Sequence, residues 1–302
     1  MFFNSVNSTF LLYLLRAHAP FETITYTFVV VISQSQALNY FRRRLIVCHK
    51  MKEIVLEDKI AIVTGAAQGI GRGISLMLAE SGAKVAVVDI SDKIDEVVQA
   101  ISDLGSSGLA LKCNVADHEE VHKVSEKVFE KYGRVDILVN NAGIYPFKPF
   151  VEMTEENWDK VMNVNVKGIF NFTKAVLPKM IERKYGKIVN ISSVAGEELG
   201  YASLVHYSAS KAAILGFTRS LALEVARYGI NVNSICPGAI ETPGAAGQIS
   251  KELYEQTKNS IPLGRWGKPE DIANTVVFLV SEYASYITGQ CIIVDGGLTI
   301  AP

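Results

Sequence analysis

The sequence predicts an α/β fold in which about seven parallel strands form one doubly wound sheet with helices on both faces. From Leu56 onward, short apolar segments alternate with longer amphipathic ones. A glycine-rich turn follows the first apolar segment, and an acidic residue ends the second. Strands that recur with helical crossovers form a parallel sheet that is covered on both faces.

Each predicted strand is a short apolar run, as expected where helices cover both faces of the sheet. In chain order the strands are Ile60–Val63, Lys84–Val88, Leu109–Cys113, Ile137–Val139, Lys187–Ile191, Asn231–Ile235 and Cys291–Val294. The predicted helices lie between them, near residues 70–81, 93–104, 117–132, 155–182, 202–228 and 269–281. No composition break interrupts the chain from residue 54 onward, so we expect a single domain over residues 51–302.

Composition excludes some classes of function. The chain has 302 residues, 49% of them hydrophobic, and a formal net charge of −1. A nearly neutral chain has no bulk electrostatic attraction for nucleic acid, so we expect no such partner. The four cysteines lie far apart and form no CxxC pair, which favours reduced thiols in a cytoplasmic protein over a disulfide framework.

Residues 1–50 differ from the rest of the chain. They hold five Lys or Arg residues against one acid, and their apolar runs, Phe10–Leu15 and Ile24–Ile32, are shorter than the roughly 20 residues that span a bilayer. Few acids and the triplet Arg42–Arg44 would suit a mitochondrial targeting segment. We favour an over-long start, with Met51 as the true initiator. We therefore assign residues 1–50 no role and expect no membrane association.

The glycine-rich turn has the character of a phosphate-binding loop. It reads Thr64-Gly65-Ala66-Ala67-Gln68-Gly69-Ile70-Gly71, and such a turn lets backbone N–H groups approach a pyrophosphate at a helix N-terminus. Asp89 ends the second strand, 18 residues after Gly71, close to the spacing expected of a carboxylate that binds the adenosine ribose. Such a carboxylate would repel a 2′-phosphate, so NAD is favoured over NADP.

Tyr207 and Lys211 lie four residues apart in a predicted helix, 202–228, that has little Gly and no Pro. Positions i and i+4 share one face of a helix. A lysine ammonium favours the phenolate and lowers the pKa of a neighbouring tyrosine from about 10. We therefore expect Tyr207 to donate or accept a proton near neutral pH. Because the pair could also be an ordinary surface pair, the assignment depends on the other motifs.

Several further motifs follow in a fixed order. They are the loop Thr64–Gly71, the segment Asn140-Asn141-Ala142-Gly143, Asn165 within Asn163-Val164-Asn165-Val166, Ser193 within Ile191-Ser192-Ser193-Val194-Ala195-Gly196, the pair Tyr207 and Lys211, and Pro237-Gly238 with Ile240 and Thr242 after it. Each motif is weak alone, but the ordered set over residues 54–300 resembles the short-chain dehydrogenase/reductase family. The resemblance implies a Rossmann-type fold and an oxidoreductase that acts on a CH–OH group with NAD(P).

The resemblance also implies two sets of site residues. The catalytic set is Asn165, Ser193, Tyr207 and Lys211. The cofactor-binding set is Gly65, Gln68, Gly69, Ile70, Gly71, Asp89, Asn114, Val115, Asn141, Ala142, Gly143, Tyr207, Lys211, Pro237, Gly238, Ile240 and Thr242. Asn114 stands where many members of the family have an Asp that contacts adenine, so we expect adjusted rather than lost binding there.

The implied chemistry is hydride transfer between nicotinamide and a carbonyl or carbinol carbon, whose oxygen must gain or lose a proton. Tyr207 would be the acid or base, and Lys211 would lower its pKa, bind the nicotinamide ribose and pass protons onward. Ser193 would hydrogen-bond the substrate oxygen and stabilise its developing charge. Asn165 would interrupt the regularity of its helix and hold a water molecule in the proton relay. Ser192 adjoins Ser193, but the Val-Ala-Gly that follows favours Ser193.

A competing motif, His118-Glu119-Glu120-Val121-His122, matches the HExxH signature of zinc metalloproteases. Asp117 could cap the helix at its start. That helix is an outer crossover of the sheet, its first turn is exposed, and no third ligand is apparent. We therefore expect solvated surface and no metal. His206 is likewise a weak catalytic candidate, because it and the neighbouring tyrosine point to different sides of their helix.

Three segments would meet the substrate: Ile144–Phe150, Glu197–Val205 and Ala239–Pro262, the last with glycines (Gly244 and Gly247) that could let it close as a lid. They carry the apolar and aromatic residues Tyr145, Phe147, Leu199, Tyr201, Ile249, Leu253 and Tyr254. No Arg or Lys cluster marks a charged substrate, so we expect a secondary alcohol or ketone. The alternative within the family, a 3-oxoacyl-(acyl-carrier-protein) reductase, is weakened by Gln68, since those enzymes carry a basic residue there.

An alternative of another class is a non-catalytic dinucleotide sensor or scaffold on the same fold. The intact Asn–Ser–Tyr–Lys set argues against it, because a binding module needs no such set. Family resemblance also implies a homotetramer built on helices such as 202–228. That helix carries small residues on one side that allow close packing, namely Ala209, Ala212, Ala213 and Gly216.

Overall fold

A seven-stranded parallel sheet forms the centre of the fold, as predicted. The computed structural model describes residues 54–246 and 250–301 of the chain. Its strands are β1 (Ile60–Thr64), β2 (Lys84–Asp89), β3 (Gly108–Lys112), β4 (Ile137–Asn140), β5 (Gly186–Ile191), β6 (Ile230–Pro237) and β7 (Cys291–Val294). Their order in the sheet is β3-β2-β1-β4-β5-β6-β7, and every neighbouring pair is parallel. The winding reverses between β1 and β4, where a sheet of this kind opens a crevice at the carboxyl ends of its strands.

The helices fall between the strands. They are α1 (Gly69–Glu80), α2 (Ile94–Asp103), α3 (His118–Tyr132), α4 (Glu155–Met162), α5 (Gly168–Arg183), α6 (Val194–Glu197), α7 (Val205–Val225), α8 (Pro243–Ala246), α9 (Lys251–Ser260) and α10 (Pro269–Val280). Short 3₁₀ turns occur at Phe150–Glu152, Ala226–Tyr228, Glu282–Ala284 and Leu298–Ile300. None of the helices in the described ranges is both long and apolar enough to cross a membrane. The predictions for residues 1–50, Gly247 and Ile249 lie outside the described residues.

Two hydrophobic layers cover the sheet, one on each face. Helices α1, α2 and α10 pack on one face, and α3, α5 and the end of α7 pack on the other. Strand β1 serves both layers, because Val63 faces the first and Ile62 faces the second, and both are fully buried. Burial on both faces explains why the strands are continuous apolar runs rather than alternating ones.

A polar network crosses the second layer. The side-chain amide of Asn140 in β4 donates to Asn190 Oδ1 in β5 at 2.8 Å and to Thr173 Oγ1 in α5 at 3.3 Å. The Asn190 amide donates in turn to Thr218 Oγ1 in α7 at 2.9 Å. All four side chains are buried, so the network joins two strands to two helices in the interior.

Two predicted elements differ from the observed ones, and helices α6, α8 and α9 were not predicted. The helix near 155–182 is interrupted by a π-helical turn, Asn163–Lys167. The helix predicted from 202 begins at Val205, because Ser203 has a φ of 63°, in the left-handed region that ends regular helix. Helix α9 is strongly polar and has no buried residue, so no run of apolar residues marks it in the sequence.

Candidate active site

The glycine-rich loop joins β1 to α1 and forms a cradle of backbone. Gly65 has a φ of 64°, and a Cβ there would lie 2.7 Å from the Cα of Ala142. At Gly71 a Cβ would collide with the carbonyl oxygen of Gly65, so glycine is required at both positions. Gln68 is the extended N-cap of α1 and is exposed, and Ile70 is half-buried in its first turn. The first N–H groups of α1 lack helical partners and point out of this end, as an anion site requires.

The segment after β4 is tied to the glycine loop. Thr64 Oγ1 accepts hydrogen bonds from the backbone N–H groups of Asn141 and Ala142, at 3.0 and 3.1 Å. The Asn141 side-chain amide donates to the carbonyl oxygens of Thr64 and Gly65 at 2.9 and 3.0 Å. The two segments that border the crevice are therefore held as one unit. Thr64 did not stand out in the sequence as a site residue, although it opens the first motif.

Asp89 lies at the carboxyl end of β2, beside the glycine loop. Its carboxylate accepts the backbone N–H of Ala67 at 3.1 Å and that of Ser91 at 3.0 Å. The loop and the acid predicted to bind the adenosine end of the cofactor are therefore in direct contact. Each carboxylate oxygen keeps acceptor capacity for a ribose hydroxyl.

Asn114 and Val115 follow β3 on the same edge. Asn114 is exposed, its backbone N–H donates to Glu120 Oε2 at 2.7 Å, and its side-chain oxygen accepts from Ala116 N at 3.1 Å. Val115 is 6% exposed and packs in the second hydrophobic layer. Its carbonyl accepts from the amide of Asn171 at 2.9 Å. The roles predicted for Asn114 and Val115 in cofactor binding stay predictions.

Tyr207, Lys211 and Ser193 converge at the carboxyl end of β5. Lys211 Nζ donates to the carbonyl of Ile191 at 2.8 Å and lies 5.5 Å from the centre of the Tyr207 ring. Ser193 caps the short helix α6, and its Oγ accepts from Ala195 N at 3.1 Å. The Ser193 hydroxyl is placed to stabilise a Tyr207 phenolate, which acts to lower the pKa of Tyr207. The predicted i, i+4 pair and the predicted serine are thus neighbours.

Burial shifts the pKa values of both Tyr207 and Lys211. Burial raises the pKa of Tyr207 to about 12, and the Ser193 hydrogen bond only partly opposes this. Burial also lowers the pKa of Lys211 to about 8. Lys211 is not among the groups that shift the pKa of Tyr207, and burial is the largest cause of the shift. The expectation that Lys211 lowers this pKa stays a prediction.

Ser192 has a different role from Ser193. It is 2% exposed, and its Oγ donates to the carbonyl oxygen of Lys211 at 2.8 Å. That bond fixes α7 against the end of β5. Of the two serines, only Ser193 has a side chain in contact with the Tyr207 hydroxyl. The choice of Ser193 over Ser192 as the residue that meets a substrate oxygen stays a prediction.

Asn165 lies in the π-helical turn and is fully buried. Its Oδ1 accepts from Ile144 N at 2.8 Å, and its amide donates to the Ile144 carbonyl and to Ser210 Oγ, both at 3.0 Å. A Cβ on Gly143 would lie 3.4 Å from Asn165 Oδ1 and 3.5 Å from Lys211 Nζ. Asn165 therefore holds the segment after β4 against α7, next to the lysine.

The segment after β6 borders the other side of the crevice. Pro237 is the last residue of β6, and a Cβ on Gly238 would lie 2.6 Å from the Cβ of Asp295. Ile240 is 7% exposed and forms a bridge with Gly267. A Cβ on Gly69 would lie 3.2 Å from Thr242, so this segment reaches the glycine loop.

Aromatic residues border the tyrosine on the substrate side. The Tyr145 and Tyr207 rings are 5.7 Å apart, and Tyr145 hydrogen-bonds Thr242. Tyr254 instead stacks on Trp266, with ring centres 4.9 Å apart. Phe147, Tyr201 and Leu253 are exposed, and Leu199 packs against Val194 and Leu215. Of the predicted pocket residues, Tyr145 thus lies nearest to Tyr207 in the contacts described.

The HExxH segment lies on the outer helix α3, away from these residues. Asp117 caps this helix through the N–H groups of Glu119 and Glu120, at 2.9 and 3.0 Å, and both His118 and His122 are exposed. Within residues 54–246 and 250–301, no group of three or more His, Cys, Asp or Glu side chains is arranged to hold a metal ion. The three cysteines in those ranges are free thiols.

Comparisons with known proteins agree with this geometry. A family model described as enoyl-(acyl carrier protein) reductase matches residues 65–299. The 3-oxoacyl-(acyl-carrier-protein) reductase FabG of Thermotoga maritima is 46% identical over 246 residues, which are 81% of this chain and 99% of that protein. A candidate short-chain alcohol dehydrogenase of Sinorhizobium meliloti is 38% identical, with a TM-score of 0.79 over 83% of this chain and 100% of that one. A 7α-hydroxysteroid dehydrogenase, solved with NADH and 7-oxo glycochenodeoxycholic acid, is 36% identical, with a TM-score of 0.79 over 81% and 96%.

Proposed function

The chain belongs to the short-chain dehydrogenase/reductase family of oxidoreductases, which act on CH–OH groups, and from this premise we propose that it interconverts a secondary alcohol and a ketone with NAD(H). The observation that carries the proposal is the convergence of Ser193, Tyr207 and Lys211 at the crevice beside the glycine loop. A dinucleotide sensor would have no use for a buried lysine beside a half-buried tyrosine. We therefore favour catalysis over binding alone.

Tyr207 is suited to donate a proton in the direction of ketone reduction. Because its pKa is raised to about 12, the phenol keeps its proton at neutral pH. Ser193 hydrogen-bonds that hydroxyl, so a ketone oxygen that meets both groups would receive one hydrogen bond from serine and the proton from tyrosine. Alcohol oxidation is the reverse and requires that Tyr207 first lose its proton.

Lys211 is suited to resupply that proton. Its pKa of about 8 means that the amine can lose and regain a proton near neutral pH. One of its three donors is bound to the Ile191 carbonyl, which leaves two for other partners. We assign those donors to the nicotinamide ribose and to the proton path that leads past Asn165.

The crevice fits NAD(H), which supplies or accepts the hydride when it is bound. The glycine loop would hold the pyrophosphate, and a Cβ at Gly71 would collide with the loop's own backbone. Asp89 would accept hydrogen bonds from the adenosine ribose, and the loop Thr64–Gly71 carries no basic residue to attract a 2′-phosphate. The related 7α-hydroxysteroid dehydrogenase was solved with NADH, which supports the same choice here.

A second candidate function is the reduction of a 3-oxoacyl thioester on acyl carrier protein. It is favoured by the 46% identity to the Thermotoga maritima reductase over 99% of that protein. The two candidates share the chemistry proposed for Tyr207 and differ in the carrier of the ketone. The exposed aromatic residues Phe147 and Tyr201 beside the site suit an apolar ketone without a carrier.

We also propose that the protein is a cytoplasmic homotetramer. Leu223 in α7 and Phe170 in α5 are 84% and 49% exposed, and Ala212 and Gly216 in α7 are exposed small residues. An exposed apolar surface on two long helices is typical of an interface between subunits. Light scattering of the purified protein measures the assembly directly.

One experiment separates the functions. The rate of NADH and NADPH oxidation is measured with free ketones and with 3-oxoacyl-carrier substrates. We expect a higher kcat/KM with NADH than with NADPH and with free ketones than with carrier-bound ones, and Asp89→Ala should narrow the preference for NADH.

Tyr207→Phe should reduce kcat about 10²–10⁴-fold while NAD(H) affinity survives. Tyr286→Phe, at a fully exposed tyrosine, is the matched control. A preference for NADPH, or near-normal turnover by Tyr207→Phe, would overturn the cofactor or the mechanism, respectively.

A further inference from the structure

The helix that carries Tyr207 begins without an ordinary cap. The residue before its first turn is Leu204, which has no side-chain acceptor and makes no capping hydrogen bond. The first four N–H groups of a helix have no partner in the helix itself, and Ser, Thr, Asp or Asn usually supplies one. Ser203 precedes Leu204 in a left-handed conformation, with a φ of 63°. The start of α7 therefore needs another acceptor.

His206 supplies that acceptor from within the first turn. Its Nδ1 accepts the backbone N–H of Tyr207 at 2.9 Å. The imidazole is fully buried, and its Nε2 has no partner among the described residues. An unpartnered buried polar atom is costly and needs an explanation. The other ring nitrogen, by contrast, is bound to the backbone in the first turn of α7.

We propose that His206 is a positioning residue, whose neutral imidazole caps α7 through Nδ1 and so fixes the backbone of Tyr207. The inference rests on the proposed function of Tyr207 as the proton donor. Tyr207 meets Ser193 through its hydroxyl and lies beside Lys211 on the next turn. Movement of the Tyr207 backbone would displace its side chain from both Ser193 and Lys211. A displacement of about 1 Å can cost 10²-fold in rate.

The bond dictates the tautomer of the ring. Because Nδ1 is the acceptor, the single proton of the neutral imidazole is on Nε2. Burial lowers the pKa of His206. Protonation at low pH would place a hydrogen on Nδ1 opposite the Tyr207 N–H and break the cap.

Two substitutions separate capping from packing. In His206→Asn the side-chain oxygen occupies the position of Nδ1 and can accept the same N–H, whereas His206→Leu keeps apolar volume and removes the acceptor. We expect His206→Leu to lose about 10- to 100-fold in kcat while the dissociation constant of NADH stays within about twofold. His206→Asn should stay within about threefold of the parent. In the parent, kcat should fall at acidic pH with an apparent pKa below the usual value of about 6.5, and His206→Asn should lack that fall.

Nitrogen-15 NMR of the resting protein tests the cap without reference to turnover. The chain has five histidines, and the signal absent from the His206→Asn spectrum identifies His206. We expect shifts of the Nε2–H tautomer at neutral pH. An Nδ1–H tautomer, a charged ring, or equal losses in both variants would overturn the proposal. If His206→Leu does not fold, the NMR tautomer and the pH profile of His206→Asn decide the question. Tyr207→Phe with normal turnover would instead refute the proposed function, while leaving the tautomer measurement intact.

Discussion

Replacing Thr64 with valine tests how the two walls of the crevice are joined. Valine has the shape of threonine but lacks the hydroxyl, and Thr64, at the end of β1, is 2% exposed. Its Oγ1 is the acceptor for two backbone N–H groups, those of Asn141 and Ala142. The Thr64→Val protein therefore leaves both donors without their partner and also loses the long hydrogen bond, 3.5 Å, that the Thr64 hydroxyl donates to the Val139 carbonyl.

The loss of stability can be worked from these two bonds. A buried donor left without a partner costs about 1–3 kcal/mol. Asn141 and Ala142 are half-buried, so water can reach their N–H groups in part, and we take the lower end of that range for each. The free energy of unfolding should therefore fall by about 2–3 kcal/mol.

Urea denaturation measures this change, with Thr64→Ser as the matched control. Serine keeps the acceptor and loses one methyl group, which costs about 0.8 kcal/mol. The urea dependence of the unfolding free energy should be the same in all three proteins, since each exposes the same surface. NADH affinity should weaken in Thr64→Val, because the glycine loop and the segment after β4 are no longer held together. Equal stability of Thr64→Val and the parent, or a larger loss in Thr64→Ser, would refute the reasoning.

Three further outcomes are expected. Ser193→Ala should lower kcat with little change in NADH binding, and Ser192→Ala should be milder, because the Ser192 hydroxyl donates to the Lys211 carbonyl; equal kinetic losses would contradict this. The rate of ketone reduction should fall as the pH rises through an apparent value of about 8, where Lys211 loses its proton, and a pH profile that stays level there would exclude the lysine as the proton source. A chain that begins at Met51 should bind NADH and turn over like the full chain, and loss of solubility or activity would assign residues 1–50 a structural role.

The fold was accessible to sequence reasoning because its strands are buried on both faces. Runs such as Ile60–Thr64 cannot be mistaken for surface segments when a glycine turn and an amphipathic helix follow. Helix α9 escaped because none of its residues is buried. Its start was signalled only by Ser250, whose side chain accepts from Leu253 N at 3.2 Å. The π-helical turn at Asn165 depends on long-range bonds to Ile144, which local pattern does not contain.

Sequence reasoning could also predict which residues form the site, because their spacing is informative. It could not predict the pKa values of those residues. Spacing alone predicts that Tyr207 and Lys211 share a helix face. Spacing does not reveal that Lys211 Nζ turns to the Ile191 carbonyl, or that burial governs both pKa values. The sequence analysis missed the cap by His206 because it considered only the directions in which the His206 and Tyr207 side chains point. The hydrogen bond instead joins the His206 side chain to the backbone N–H of Tyr207.

The polar network between β4 and β5 has a consequence for how the chain reaches this structure. Apolar strands of similar composition can be aligned in several ways at little cost, since one valine contact resembles another. Asn140 stands directly opposite Asn190, and a shift of one residue would turn one amide to the other face of the sheet. In the misaligned sheet the two side-chain amides would be buried without the hydrogen bond between them. Each lost partner would cost about 1–3 kcal/mol. The two asparagines thereby help to specify the register of β4 and β5, because only one alignment of these strands pairs their side chains.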